Sequence, residues 1–370
     1  MSRLSILLLL VSLLLVSCSR NSSVEERLDA LERRVAALEP RPAEKASDSA
    51  AVPATVPAPP AQAVRTPAAT AQGPSSMRAA VALAKTQGTV RSRQDLAAFG
   101  AAPGGGGKTI SRTPYRGAIA FDAATGEVLF EDQADELAVP ASMAKMMLLL
   151  LVQERLEAGS LRTTDIVAVS KRAYDEGGSQ VWLDPKETFP LEDLLYALMI
   201  QSANDAAIAI AEHVAGSVEA MVALMNDKAQ ALGMGNTRFV SCNGLTSVRD
   251  QADVTTARDM AILAAALCAH PAIFAYTGTD FRVFRPDKAP GKGLVEMRTH
   301  NPLLQKKVPG CDGLKTGYTK YAGYSIAATV KRGDVRVVLV LMGCPDKATR
   351  DANLSRLLEQ AFAKALAAHP

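Results

Sequence analysis

Ser142 and Lys145 stand three residues apart in "VPASMAKMMLLLLV", at the head of an apolar run. On a helix, positions i and i+3 share a face, so an amine at 145 reaches a hydroxyl at 142. Pro140 and Ala141 open that helix, which places Ser142 in its first turn. Met146 to Val152 is apolar on every side, the pattern of a helix buried all round. Burial disfavours an ammonium ion, and so does the positive end of the helix dipole. A lysine held neutral can take the serine's proton and make the hydroxyl a nucleophile. The competing reading is a plain first turn whose lysine snorkels to water.

Two further groupings carry polar chemistry. Ser202 and Asn204 bracket Ala203 between two apolar stretches, "LEDLLYALMI" and "AAIAIAEHV". That placement fits a turn that projects a hydroxyl and an amide into a cleft, and equally a helix N-cap. Lys315, Thr316 and Gly317 lie inside the strand pattern "DGLKTGYT". A glycine weakens a strand interior unless something approaches the backbone closely. Lys315 on a strand face could bind a carboxylate, or it could be an edge-strand charge that discourages aggregation.

Taken in order, SxxK, SxN and KTG are the set used by penicillin-binding proteins and β-lactamases. The chain resembles the serine D-Ala-D-Ala carboxypeptidases of the low-molecular-weight penicillin-binding proteins. The likeness runs from about Gly117 to Met342, through "FDAATGEVLFEDQADELAVPASMAKMM", "PLEDLLYALMIQSANDAAIAIAEHVAGS", "MNDKAQALGMGNTRFVSCNGL" and "DGLKTGYTKYAGYSIAAT". The resemblance implies that Ser142 is the acyl-accepting nucleophile and Lys145 its general base. Ser202 would relay a proton to the leaving D-alanine, and Asn204 would hold the substrate amide. Lys315 and Thr316 would engage the terminal carboxylate, with the N–H groups of Ser142 and Tyr318 as oxyanion hole. Gly317 would let the substrate lie against the strand edge. The implied reaction is a two-step acyl transfer that β-lactams trap, on peptidoglycan stem peptides, without a cofactor.

The family pattern is departed from ahead of KTG, where "RTHNPLL" puts His300 and Arg298 forward as additional carboxylate contacts. A D,D-endopeptidase that cuts cross-links would use the same three motifs. A β-lactamase of the type that adds a deacylating Glu is disfavoured, because no ExxLN-like segment separates the second and third motifs. A non-catalytic envelope tether is the reading from a different class, and three intact motifs argue against it.

The elements that must position these residues follow from periodicity. "GAIAFD" and "EVLFE" read as a hairpin turned at Gly126, and Ala141 to about Ala275 as helix-rich. Strands return in "GLKTGYT", "GYSIAATV" and "VRVVLVLM", the last apolar enough to be buried on both faces. Leu354, Leu357, Leu358, Ala361, Phe362 and Ala365 line one side of a closing helix. The expected fold is α+β: an antiparallel sheet of about five strands, flanked by helices, with an inserted all-helical subdomain, as in β-lactamases and penicillin-binding proteins.

Composition and the N-terminal third complete the reading. Of 370 residues, 48% are apolar and 21% charged, and the net charge of +3 gives no footprint for nucleic acid. Residues 1–17 read as a secretory signal that ends in "LVSC", similar to a lipobox, so Cys18 is the expected lipidation site. A lipid there would anchor an exported protein in a bacterial envelope, and Ser19 favours the outer membrane in a two-membrane cell. It would also replace the C-terminal membrane helix of some relatives. Residues 18–39 carry Val24, Leu28, Leu31, Val35 and Leu38 at alternating steps of four and three, an a/d seam. Over 24–38 this is either a homo-oligomerising coiled coil or a lone amphipathic helix. Residues 40–106 read as a Pro/Ala/Gly-rich linker with a weak helical patch near Met77 to Phe99, and the catalytic domain as 107–370. "APGGGGKT" lacks the preceding strand and following helix that a phosphate loop needs, and reads as flexible linker. Cys242, Cys268, Cys311 and Cys344 form no CxxC pair, and the four histidines have no metal-ligand spacing, so no metal is expected.

Overall fold

The computed structural model describes residues 75–101, 109–245 and 251–368. The signal segment, Cys18, the seam over 24–38 and the glycine run lie outside the described residues.

The described residues form nine strands and eleven α-helices. Strands β1 (Gly117–Asp122) and β2 (Val128–Asp132) form the hairpin, with Gly126 at φ +78° in its turn. Strands β7 (Cys311–Thr319), β8 (Gly323–Arg332) and β9 (Val335–Cys344) follow near the C-terminus. They join the hairpin in one antiparallel sheet of order β2-β1-β9-β8-β7. The pairing sets Ile119 opposite Val340, Ala327 opposite Val340, and Lys315 opposite Ala327. β7 is therefore an edge.

Period-two alternation divides the core into two layers. Val338, Val340 and Met342 of β9, with Ile119 and Phe121 of β1, face the main helical core. Val337, Leu339 and Leu341, with Ala118 and Ala120, face the closing helix α11 (Lys347–Ala368) and its buried stripe from Leu354 to Ala365. β9 is thus covered on both faces, as its unbroken apolar run requires. Each fully buried large aliphatic side chain contributes about 1.5–3 kcal/mol, which makes this strand a main source of stability.

The other elements run in chain order as α1 (Ser75–Lys85), α2 (Arg93–Gly100), α3 (Lys145–Glu157), β3 (Ile166–Ala168), α4 (Lys171–Asp175), β4 (Thr188–Pro190), α5 (Leu191–Tyr196), α6 (Asn204–Ala215), α7 (Val218–Leu232), α8 (Ala257–Cys268), α9 (Phe274–Thr277), β5 (Phe281–Phe284), β6 (Val295–Arg298) and α10 (Pro302–Gln305). The helix-rich insertion has the expected place. Two small two-stranded sheets, β3-β4 and β5-β6, interrupt it and were not foreseen.

The linker expected over 40–106 needs correction at its C-terminal end. The helical patch expected near Met77 to Phe99 is present as two helices over 75–100, but it belongs to the folded domain: Ala79, Ala80 and Leu83 of α1 are buried in the main core. α2 begins with a full capping box between Ser92 and Asp95 and buries Leu96. The alanine-rich composition that suggested a linker is what lets α1 lie close. A Cβ on Gly126 would come within 2.8 Å of Ala79, and one on Gly233 within 2.9 Å of Ala84. Polar groups then latch the segment. Arg91 N–H donates to Asn236 Oδ1 at 2.7 Å, Arg258 Nη1 to Thr86 Oγ1 at 2.9 Å, and Gln87 Nε2 to Asp259.

Candidate active site

Residues 141–144 form a single 3-10 turn, and α3 continues from Lys145. Ser142 thus sits in the turn, with Lys145 at the first helical position. Ala141 is held at φ +48°, and Gly244 and Gly317 make room for this turn. A Cβ at Gly244 would lie 1.8 Å from the Ala141 oxygen, and one at Gly317 2.4 Å from the Pro140 oxygen. The close approach that the strand glycine signalled is therefore made, within the chain itself, by the nucleophile's own turn against β7.

Lys145 is fully buried, among Met146 to Val152, which are buried too. Its Nζ lies 2.7 Å from Asn204 Oδ1, 2.7 Å from the Asn243 carbonyl and 3.1 Å from Ser142 Oγ. A neutral amine has two hydrogens and one lone pair. The two shorter contacts accept both hydrogens, and the lone pair is left for the Ser142 hydroxyl, which then donates. Burial pulls the ammonium down to about 7, against the raising influence of Cys242, Glu176, Asp253 and Asp205. The Cys242 thiol is itself pushed up to about 12 by burial, so it is uncharged at neutral pH. The snorkelling alternative is thereby closed.

A short π-helical turn, Ala197–Gln201, ends with Ser202 in the left-handed region at φ +62°. This bend frees Ser202 from the helix and starts α6 at Asn204. The Ser202 hydroxyl is buried, has no hydrogen-bond partner among the described residues, and lines the cleft. Asn204 donates from Nδ2 to the Gly177 carbonyl at 2.7 Å, which fixes its oxygen toward Lys145. The capping reading fails: neither side chain caps α6, whose N-cap is Ala203.

The cleft holds about 420 Å³ and is lined by Ser142, Ser202, Asn204, Thr316, Gly317 and Tyr318 from the expected set. Lys315 is buried behind that wall, and its Nζ donates to the Thr316 carbonyl at 3.2 Å. Burial, and then the charge of Lys145, hold its ammonium well below the usual lysine value. The "RTHNPLL" segment divides three ways. His300 lines the cleft, and Asn301 Nδ2 braces β7 through the Gly313 carbonyl at 2.9 Å. Arg298 is the correction: it points to solvent, pairs with Glu296 at 2.9 Å and stacks on Phe281. As the last residue of β6 its side chain lies on the face opposite buried Met297.

Several site residues were not picked out from the sequence. Gly178, Ser179, Gly244, Leu245, Gln305, Tyr324, Lys347 and Arg350 all line the cleft. Lys347 and Arg350, one helical turn apart at the start of α11, carry the signal that was available: i and i+3 basic residues outside the apolar stripe. They put two basic side chains into the cleft wall near His300. His300 records this, held down to about 4 by burial and then by Lys315, Lys347, Arg350 and Lys145. The downstream cysteines are free thiols, with Cys242, Cys268 and Cys344 buried.

Residues 112–346, more than half of the chain, match the D-alanyl-D-alanine carboxypeptidase family of S11 peptidases. The chain is 36% identical over 260 residues to D-alanyl-D-alanine carboxypeptidase DacF of Bacillus subtilis, covering 70% of this chain and 65% of that one. It is 36% identical over 250 residues to DacC of Escherichia coli, covering 66% and 60%. The chain thus spans somewhat under two thirds of the length of these curated relatives. Among solved structures it is similar to penicillin-binding protein D2 of Listeria monocytogenes in its ampicillin-bound form, with a TM-score of 0.59 and 29% identity over 67% of this chain and 97% of that one. The three motifs converge on one cleft within the matched segment, and the chain belongs to the D-alanyl-D-alanine carboxypeptidase family.

Proposed function

We propose that the chain is a serine D,D-carboxypeptidase that removes the terminal D-alanine from peptidoglycan stem peptides. The observation that carries this is the buried Lys145 Nζ, 2.7 Å from the acceptors Asn204 Oδ1 and Asn243 O and 3.1 Å from Ser142 Oγ, an arrangement in which a neutral amine turns its lone pair to Ser142. Ser142 Oγ attacks the carbonyl of the penultimate D-alanine, and its proton passes to Lys145 Nζ. The N–H groups of Ser142 and Tyr318 receive the developing oxyanion. Lys145 then returns that proton through Ser202, whose hydroxyl has no hydrogen-bond partner among the described residues and gives its own proton to the departing D-alanine amine, so the base is neutral again. Water then cleaves the acyl-enzyme, and Lys145 serves again as base. The basic side chains of Lys347 and Arg350, with the Thr316 hydroxyl, suit the free carboxylate that distinguishes a stem-peptide terminus. β-Lactams enter the first step and stall at the second, in line with the ampicillin-bound relative.

The test uses the full chain with a fluorescent penicillin and with a pentapeptide ending in D-Ala-D-Ala. Covalent label and released D-alanine are expected, both lost in Ser142→Ala. Label that survives that substitution would sink the mechanism. Cleavage confined to cross-linked dimers would turn the reading to an endopeptidase. The N-terminal segment supports a second part of the proposal: export, lipidation at Cys18, and a tether into the wall through 40–74, with self-association over 24–38. A mass spectrum of the mature protein with an unmodified Cys18 would remove the anchor.

A further inference from the structure

We infer that Glu176 is the positioning residue of the Lys145 base, acting through the Asn243 side chain. The inference rests on the proposed role of Lys145 and goes beyond it. The lone pair of a neutral amine points wherever its two hydrogens do not. Its direction is therefore set by the two groups that accept those hydrogens, the Asn204 side chain and the Asn243 carbonyl.

One short segment governs both acceptors. Glu176 follows α4 in extended conformation, at φ −66° and ψ 140°, and its N–H is tied back to the Ala173 carbonyl at 3.3 Å. Its Oε1 accepts from Asn243 Nδ2 at 3.0 Å. The other end of the same amide, Asn243 Oδ1, accepts from the Leu245 N–H at 2.9 Å. Asn243 is buried, so a donor left unpaired there would be costly and would turn to another partner. With both ends of the amide pinned, the Asn243 carbonyl cannot swing away from Lys145. The next residue, Gly177, supplies the carbonyl that fixes Asn204 Nδ2, and the Ser179 carbonyl takes the Asn204 N–H at 2.7 Å. A Cβ at Gly178 would sit 2.7 Å from Asn204 Nδ2, so the segment lies directly against that amide.

Glu176 also brings charge. The groups facing Lys145 are Lys315 on β7, Cys242 beside Asn243, Asp205 on α6, Asp253 before α8, His300 after β6, and Glu176. Asp205 accepts from the N–H groups of Val181, Leu183 and Ala206, and Asp253 from Val240 and Ser241. Those two carboxyls are occupied with backbone, whereas Glu176 is spent on the residue that receives a Lys145 hydrogen.

The test follows penicillin acylation of the full chain against pH, reading separately the rate constant and the final labelled fraction. Glu176→Ala removes the acceptor, and its plateau rate is expected to fall about tenfold or more with the labelled fraction intact. Glu176→Gln keeps an oxygen for Asn243 and loses the charge. It is expected to restore most of the plateau, with the acid limb displaced to lower pH because a group that favours the ammonium has gone. A wild-type plateau in Glu176→Ala, a loss confined to the labelled fraction, or a Glu176→Gln no better than Glu176→Ala would overturn the inference. Should Glu176→Ala fail to fold, an unmoved acid limb in Glu176→Gln does the same. Wild-type protein that takes no Ser142-dependent label would fail the functional proposal instead, and is distinguishable from all of these.

Discussion

Lys145 and Asp259 are both buried ionisable groups, and burial brings both to about 7, one from above and one from below. Their surroundings differ. The Lys145 lone pair opens through Ser142 onto the cleft. Asp259 is closed in: Thr237 Oγ1 donates to it at 2.6 Å, the Asn236 N–H at 2.9 Å, and Gln87 of the N-terminal segment covers the other oxygen. A displaced pKa is thus a mark of enclosure, and only a route for the proton to a reacting atom makes it a mark of catalysis. The same packing physics serves chemistry in one region and fastens a strap in the other.

The largest effect that sharpens this contrast is Lys145→Ala. Acylation by penicillin is expected to slow by about 10²–10⁴-fold, the usual value of a general base. The wild-type rate should rise with pH through a midpoint near 7, as the amine loses its proton. A variant that acylates within a few-fold of wild type would break the comparison on the catalytic side.

Asp259 is expected to act on stability alone. Its folded-state pKa lies above the ordinary 3.8, at about 7. The stability it contributes is therefore fully present below 3.8 and is lost as pH rises through about 7. The span corresponds to at most about 4 kcal/mol. Denaturant unfolding of wild type should show that decline between pH 4 and 7, and Asp259→Asn should flatten it without changing the acylation rate per labelled site. A slower rate in Asp259→Asn would erase the distinction.

The smallest effect concerns the strap. Gln87→Ala removes one donor to Asp259 and is expected to cost about 1–3 kcal/mol in unfolding free energy. The acylation rate should be unchanged. A change in rate with no change in stability would mean that the strap reports to the cleft.

The legible parts of this protein were those whose logic is local. The i, i+3 pair of Ser142 and Lys145, the unbroken apolar run of β9 and the stripe of α11 are all local patterns, and each appears where expected. The helical patch near Met77 to Phe99 is present, but its packing into the core was missed because small alanines carry little hydrophobic signal. Their burial depends on glycines at 126 and 233, remote in sequence. Arg350 escaped notice because it lies off the apolar stripe that identified its helix. Arg298 was misassigned because strand alternation sends it and Met297 to opposite faces, a direction that the motif alone does not carry.

By itself the sequence determined the three motifs, their order, the two-faced sheet and the family, since these rest on residue type and short spacing. The tertiary structure alone decided which acceptors take the Lys145 hydrogens, which cations gather around His300, and which buried acid is walled off. Those outcomes depend on desolvation and on the filling of hydrogen-bond valences. Both are properties of an enclosed volume to which distant segments contribute, and no window of sequence contains them.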